Sequence, residues 1–155
     1  MRALIYIDAF VPDLGESMLQ LATARPGSCL GGDATKVFDR PAAREGDADL
    51  YIKRDLLSGY FTSELSVADA AVLGSEERPI TLSALALPSG VPAWRTTPAW
   101  YVLGTVDRVV PPAEQRFMAE TADARITEVA AMHPAMISHW DVVTDVILDA
   151  AREAG

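Results

Sequence analysis

Hydrophobic residues gather at the very start of the chain, where Arg2-Ala-Leu-Ile-Tyr-Ile7 is short, rich in branched and aromatic residues and almost continuously apolar. A run without alternation predicts a strand covered on both faces of a parallel sheet. The signature returns at Ala99-Trp-Tyr-Val-Leu-Gly104 and, more weakly, at Arg125-Ile-Thr-Glu-Val-Ala130, and a helical period follows each of these two. Pro111 and Pro112 suit the first turn of a helix reaching about Ala122, with Phe117 and Met118 on its apolar face. Past the last strand, Val142, Val143, Val146, Ile147 and Ala150 recur at three- and four-residue spacing, while Asp141, Asp145 and Asp149 mark a different face. Ser138 is placed to cap that helix. The order β-α-β-α predicts an α/β fold with parallel strands and flanking helices.

Between the first strand and the second the pattern changes. Residues 11–98 alternate helical stretches with Gly- and Pro-rich breaks, a segment too long for a connection without structure of its own. A mostly helical cap or lid insertion is expected there, set into a core made of residues 1–10 and 99–155. Helices are expected near Gly15 to Ala24, Lys53 to Tyr60 and Ser63 to Gly74. Lys36 to Asp39 and Leu50 to Lys53 are short strand-like pieces that would pair as a hairpin.

Composition narrows the partners. Half of the 155 residues are apolar and 23% are charged, the balance of a chain that buries a core. Thirteen basic residues stand against twenty-two acidic ones, a net charge of −9, and no segment gathers Lys and Arg, so nucleic acid is not an expected partner. The N-terminal apolar run is too short for a membrane span or a signal-peptide core. The one cysteine, Cys29, has no partner for an intramolecular disulfide. These features point to the cytoplasm, with no membrane partner.

Candidate chemistry sits at two turns. Gly104-Thr-Val-Asp107 follows directly on a buried strand and Val109-Val-Pro-Pro112 leads into a helix, which puts Asp107 at the C-terminal end of a parallel strand. Open α/β sheets collect ligand and catalytic groups at that edge. Alone, an aspartate there serves equally well as a turn or helix cap. His133, in Ala130-Ala-Met-His-Pro-Ala-Met-Ile-Ser-His139, lies past the next strand and before the next helix, so it reaches the same edge. A carboxylate on one turn and an imidazole on the next form the orienting half of a proton relay, in which the acid fixes the tautomer and stabilises the imidazolium. Read singly, His133 also fits a core histidine; the pairing favours catalysis. His139 is the weaker candidate, as a first-turn residue of the last helix. Phe10, Trp94 and Met136 flank the expected site and are candidate substrate-binding residues, although large apolar side chains at element ends commonly belong to the core.

The succession of strand, cap, strand ending in Gly-Thr-x-Asp107, helix opening Pro111-Pro-x-x-Gln-Arg-Phe-Met118, strand, His133 and amphipathic helix resembles the C-terminal part of the α/β-hydrolase superfamily. It is most similar to bacterial relatives of plant methylesterases and hydroxynitrile lyases. Leu4-Ile-Tyr-Ile-Asp-Ala-Phe-Val-Pro-Asp13 resembles the strand that follows the nucleophile-bearing helix, and the resemblance covers essentially the whole chain. It implies Asp107 as the acid and His133 as the base of a Ser-His-Asp triad, with the serine earlier, on Gly-x-Ser-x-Gly. Pro134 departs from the small residue the family leads one to expect after the histidine. Neither Gly-x-Ser-x-Gly nor a His-Gly loop of the kind that donates an oxyanion amide occurs in the 155 residues. Ser28 and Cys29 are poor substitutes, lying in a glycine-flanked stretch of the cap with no evident base. The expectation is therefore part of an esterase-like serine hydrolase whose nucleophile segment is absent from this chain, acting on a small apolar ester with no metal or other cofactor. Its completion would come from a missing N-terminal half or a second copy, joined through the first strand. Two readings stand beside it: a non-catalytic binding or interaction protein derived from the fold, and a hydroxynitrile-lyase-like enzyme that uses the histidine as base.

Overall fold

The computed structural model describes residues 2–31, 33–39 and 47–155. In chain order it contains β1 (Leu4–Ile7), α1 (Met18–Ala24), α2 (Ala34–Val37), β2 (Phe38–Asp39), β3 (Asp49–Ile52) and α3 (Arg54–Leu56), the last widening into a π-helical turn over Leu57–Phe61. There follow α4 (Val67–Ser75), β4 (Ile80–Thr81), α5 (Leu82–Ala86), a 3-10 turn at Ala93–Arg95, β5 (Ala99–Gly104), α6 (Pro112–Thr121), β6 (Arg125–Val129), α7 (Ala135–Ser138) and α8 (Trp140–Glu153).

Three strands, in the order β1-β5-β6, make a parallel sheet, with Leu4 opposite Ala99 and Trp100 opposite Arg125. All six residues of β5 are buried, as an unbroken apolar run requires. Alternation along the strand sends Tyr101 and Leu103 to one face, against Met118, Ala119 and Ala122 of α6. Trp100 and Val102 go to the other, against Val143, Val146 and Ala150 of α8. The sheet is thus covered by a helix on each face. β1 departs from its expected full burial: its four residues are half-buried, because among the described residues it pairs with β5 alone.

Each helix buries a narrower stripe than periodicity suggests. Ile147 is 42% exposed while Val143, Val146 and Ala150 are buried. On α6, Met118 is buried but Phe117 is 44% exposed, its ring covered from outside by the Arg25 guanidinium at 4.0 Å. Ser138 does not cap the last helix. It is the final residue of α7, and its hydroxyl lies 2.9 Å from Nδ1 of His139, the residue that joins α7 to α8.

Residues between β1 and β5 carry five short helices and a second sheet, antiparallel, in the order β2-β3-β4. The expected hairpin forms as Phe38 opposite Ile52, with its connecting residues 40–46 outside the described ones; β4, which pairs along β3, was not anticipated. Ser17 caps α1 in a reciprocal box with Gln20. The helix expected over Lys53 to Tyr60 instead widens to π geometry where Ser58 and Gly59, both weak in helix interiors, occur. This segment lies over the C-terminal ends of the parallel strands. Cys29 N–H donates to the Arg108 carbonyl at 2.7 Å, and Arg25 pairs with the buried Glu114 of α6. Val11 and Leu21 belong to the core cluster on the α6 face, so the apolar core runs across the expected boundary at residue 10. Among the described residues no helix is long and apolar enough to cross a membrane.

Neighbouring residues on α6 separate the two kinds of apolar position. Met118→Ala is expected to cost about 2–5 kcal/mol, the range for emptying a packed site, whereas Phe117→Ala should cost about 1 kcal/mol or less. Urea unfolding of both variants measures this, and equal losses would contradict the burial described.

Candidate active site

Asp107 follows β5 in the turn Thr105-Val-Asp-Arg108 and is 2% exposed. A carboxylate buried to that degree needs a donor for each lone pair. Oδ1 accepts from the backbone N–H of Val109 at 2.7 Å and of Val110 at 3.1 Å, so the side chain does cap its own turn. Oδ2 accepts from Gln115 Nε2 at 2.8 Å and faces His133 Nδ1 at 3.1 Å. The capping and orienting roles therefore coexist, one on each oxygen.

His133 reaches that oxygen from the loop after β6. Its Nδ1 faces Asp107, and the ring lines a cavity of about 740 Å³. Three contacts from the insertion between β1 and β5 hold the loop. The Phe61 ring meets the imidazole edge-on, with centroids 5.1 Å apart, and the Glu64 carboxylate accepts from Met132 N–H at 2.9 Å. Ser63 Oγ lies 2.8 Å from Met132 Sδ. The π-helical turn thus delivers an aromatic side chain onto the histidine. The His133–Pro134 peptide is cis.

Sequence reasoning missed two participants. Gln115 is fully buried on α6; its Nε2 donates to Asp107 and to the Val110 carbonyl, and its Oε1 accepts from Gly104 N–H at 3.2 Å. Asp8, the residue after β1, is 1% exposed and adopts φ 47°, a left-handed conformation uncommon outside glycine. Its Oδ1 accepts from Gly104 N–H at 3.0 Å and its Oδ2 from Ala135 N–H at 2.6 Å. Burial pushes its carboxyl up to about 6, and the neighbouring Asp107 charge adds to the rise, against the lowering effect of the Ala135 and Gly104 N–H groups and of His133. Gly104 has no room for a side chain, since a Cβ there would stand 2.8 Å from both Asp8 Oδ1 and the Ala131 carbonyl.

One ligand-type atom from each of Asp8, Asp107 and His133 falls within 4.8 Å of the others. All four carboxylate oxygens already accept hydrogen bonds from N–H groups, so the donor set is that of a hydrogen-bond network rather than a cation cage.

The remaining sequence candidates separate. Phe10 lines the cavity, together with Val110 from the turn after β5 and Leu30, Leu57, Phe61 and Leu85 from the insertion between β1 and β5. Trp94 and Met136 do not. The Trp94 indole N–H is directed to the Pro12 carbonyl at 3.2 Å, because a half-buried indole needs an acceptor, and Met136 is 41% exposed on α7. His139 is held by Ser138 at the helix junction and is not part of the cavity wall. Burial, with Asp107 adding to it, pushes the Cys29 thiol up to about 11, the opposite of an activated nucleophile. Ser28 Oγ donates to the Val109 carbonyl at 2.6 Å and accepts from Leu30 N–H at 3.1 Å, so its hydroxyl is committed to the turn.

Known proteins share this architecture. Residues 1–146 match the model of the alpha/beta hydrolase family. No curated protein matches the chain. Among solved structures, polyneuridine aldehyde esterase superposes with a TM-score of 0.76 at 18% identity, over 97% of this chain and 62% of that one. A methylesterase from Arabidopsis gives 0.72 at 14% identity, over 98% and 59% respectively. A pyrethroid hydrolase from Sphingobium faniae JZ-2 gives 0.69 at 19% identity, over 97% and 60%. The chain spans about three fifths of the length of these structures, and at such identities the likeness speaks for the fold. From the extent of the family match, the chain belongs to the alpha/beta hydrolase family.

Proposed function

We propose that this chain provides the acid and the base of a serine hydrolase acting on a small apolar ester, with the nucleophilic serine on a segment outside these 155 residues. The observation that carries this reading is the 3.1 Å contact between Asp107 Oδ2 and His133 Nδ1, which leaves Nε2 as the basic nitrogen of a ring that lines an apolar cavity. The esterases and hydrolases that share the fold support the same class of chemistry.

In the proposed reaction His133 Nε2 takes the proton of the serine hydroxyl as its oxygen attacks the ester carbonyl. The tetrahedral intermediate collapses, and the imidazolium returns that proton to the departing alkoxide, releasing the alcohol and leaving an acyl-serine. Water, deprotonated by the same nitrogen, then attacks the acyl carbon, and as the second tetrahedral intermediate collapses the imidazolium returns that proton to the departing serine oxygen, which frees the acid and restores the serine and the neutral histidine. Asp107 keeps Nδ1 protonated throughout and stabilises the imidazolium; Gln115 and the Val109 and Val110 N–H groups hold Asp107 in place. Phe10 and the cap residues around the cavity exclude water from the acyl or alcohol group.

The free side of β1 is the proposed seat of the missing strand. A parallel strand leading into the nucleophile would satisfy the backbone groups of Leu4–Ile7 that β5 leaves open, and would bring its turn to the same edge as Asp107 and His133. A second copy of the chain joined through that side is the other arrangement the strand edge permits.

A fluorophosphonate probe and short p-nitrophenyl esters test the reading. The 155-residue chain alone is expected to show no labelled serine and no serine-dependent turnover. Joined to the in-frame sequence upstream of Met1, it should label stoichiometrically and hydrolyse ester, and Asp107→Asn or His133→Ala should then lower kcat by about 10⁴-fold. Labelling within residues 1–155 of the lone chain would overturn the placement of the nucleophile; full activity in both variants would remove Asp107 and His133 from the reaction, and a joined protein that neither labels nor hydrolyses ester would leave the non-catalytic reading. Within an active protein, Phe10→Ala should raise KM for a bulky apolar ester about tenfold and Met136→Ala should leave it unchanged. The reverse order would move the substrate site away from the cavity.

A further inference from the structure

The carboxylate of Asp8 is buried beside a pair that already has its acid. We propose that Asp8 is a positioning residue for His133: it fastens the histidine-bearing loop to the end of β5, and its own charge sets how much negative charge lies beside the Asp107–His133 pair. The proposal rests on the reading of His133 as the site's base.

Geometry carries the first half. Asp8 belongs to the turn after β1, Gly104 ends β5, and Ala135 opens the helix that follows His133; the two oxygens of Asp8 take one N–H from each of the latter. One side chain thereby connects the ends of the three elements that meet at the site. The connection is built into the backbone on both sides, in the left-handed φ of Asp8 and in the absence of space for any side chain at position 104.

Charge carries the second half. The titratable groups facing Asp8 are Asp107 from the turn after β5, His133 from the loop after β6, and the phenol of Tyr101 from β5 itself. None is a fixed cation, and the two carboxylates and the imidazole lie within 4.8 Å of one another. With its carboxyl pushed up to about 6, Asp8 changes charge in the range where a histidine base works. His133 favours the ionised form of Asp8, and one ligand-type atom of each lies within 4.8 Å of the other. Across this range the carboxyl beside the Asp107–His133 pair passes from neutral to negative.

The folded carboxyl lies above its ordinary value of 3.8, so the sign of the stability effect follows. As pH rises from about 4 to about 6 the unfolded chain ionises Asp8 first. The wild type should therefore lose stability relative to Asp8→Asn over that interval, and the difference should level off above it. Urea unfolding of the two proteins across about pH 4 to 8 reads this directly. In parallel, the Gly104 and Ala135 amide resonances of the wild type should titrate together with a midpoint near 6, and cease to do so in Asp8→Asn. In the active, joined protein the variant should also lose a step near that pH from its kcat/KM profile, which a purely structural contact would not produce. Parallel stability profiles, or wild-type amides that do not titrate, overturn the proposal even if the variant folds poorly. A titrating Asp8 beside an Asp107–His133 pair that proves inert would sink the hydrolase reading and leave the coupling standing.

Discussion

Burying a carboxylate under the edge of a parallel sheet obliges the surrounding chain to supply donors, and the arrangement around Asp107 answers that obligation. Two donors come from the backbone of its own turn, which fixes the path from β5 into α6. A third comes from Gln115, one turn into that helix, and the fourth is the histidine. Because Gln115 also bonds the Val110 carbonyl and the Gly104 N–H, strand end, turn and helix are one hydrogen-bonded body. The imidazole is then presented against a rigid acid, the condition under which an orienting carboxylate is effective.

The insertion between β1 and β5 takes part in this organisation. Its π-helical turn places Phe61 against the ring of His133, and Glu64 bonds the loop one residue earlier. The histidine is therefore held from two directions, by Asp107 on the sheet side and by an aromatic ring on the side of the insertion. An apolar cavity bounded by residues of the same insertion means that whatever enters it displaces water from the neighbourhood of the imidazole.

The parts of this site that could be read in the sequence are those whose neighbours force their position. Asp107 follows a continuous apolar strand and His133 a weaker, mixed one, and each precedes a helix, so the topology brings them to one edge. Gln115 was legible in principle: residues 115, 118, 119 and 122 follow helical spacing, and a polar residue within that stripe has to find partners in the core. Asp8 had a similar signal, a carboxylate at the end of an apolar run, but its burial depends on Gly104 and Ala135, far away in sequence. Trp94 and Met136 were misplaced because apolar character at an element's end does not say which way the side chain turns. Trp94 followed its need for an acceptor and Met136 stayed at the surface. The split between α7 and α8 was hidden because a serine before an apolar stripe reads as a cap whether or not the chain bends there.

Leu4 meets Ala99 across the whole insertion, so the two strands close a loop made of everything between them. The entropy of closing a chain grows only logarithmically with its length, by about 0.6 kcal/mol for each doubling. The sheet therefore hardly senses how many residues leave one strand and return to the next, provided that the ends come back in register. The insertion could be lengthened or re-sculpted at small cost to the frame that holds Asp107 and His133, and this separates change at the cavity wall from the upkeep of the fold.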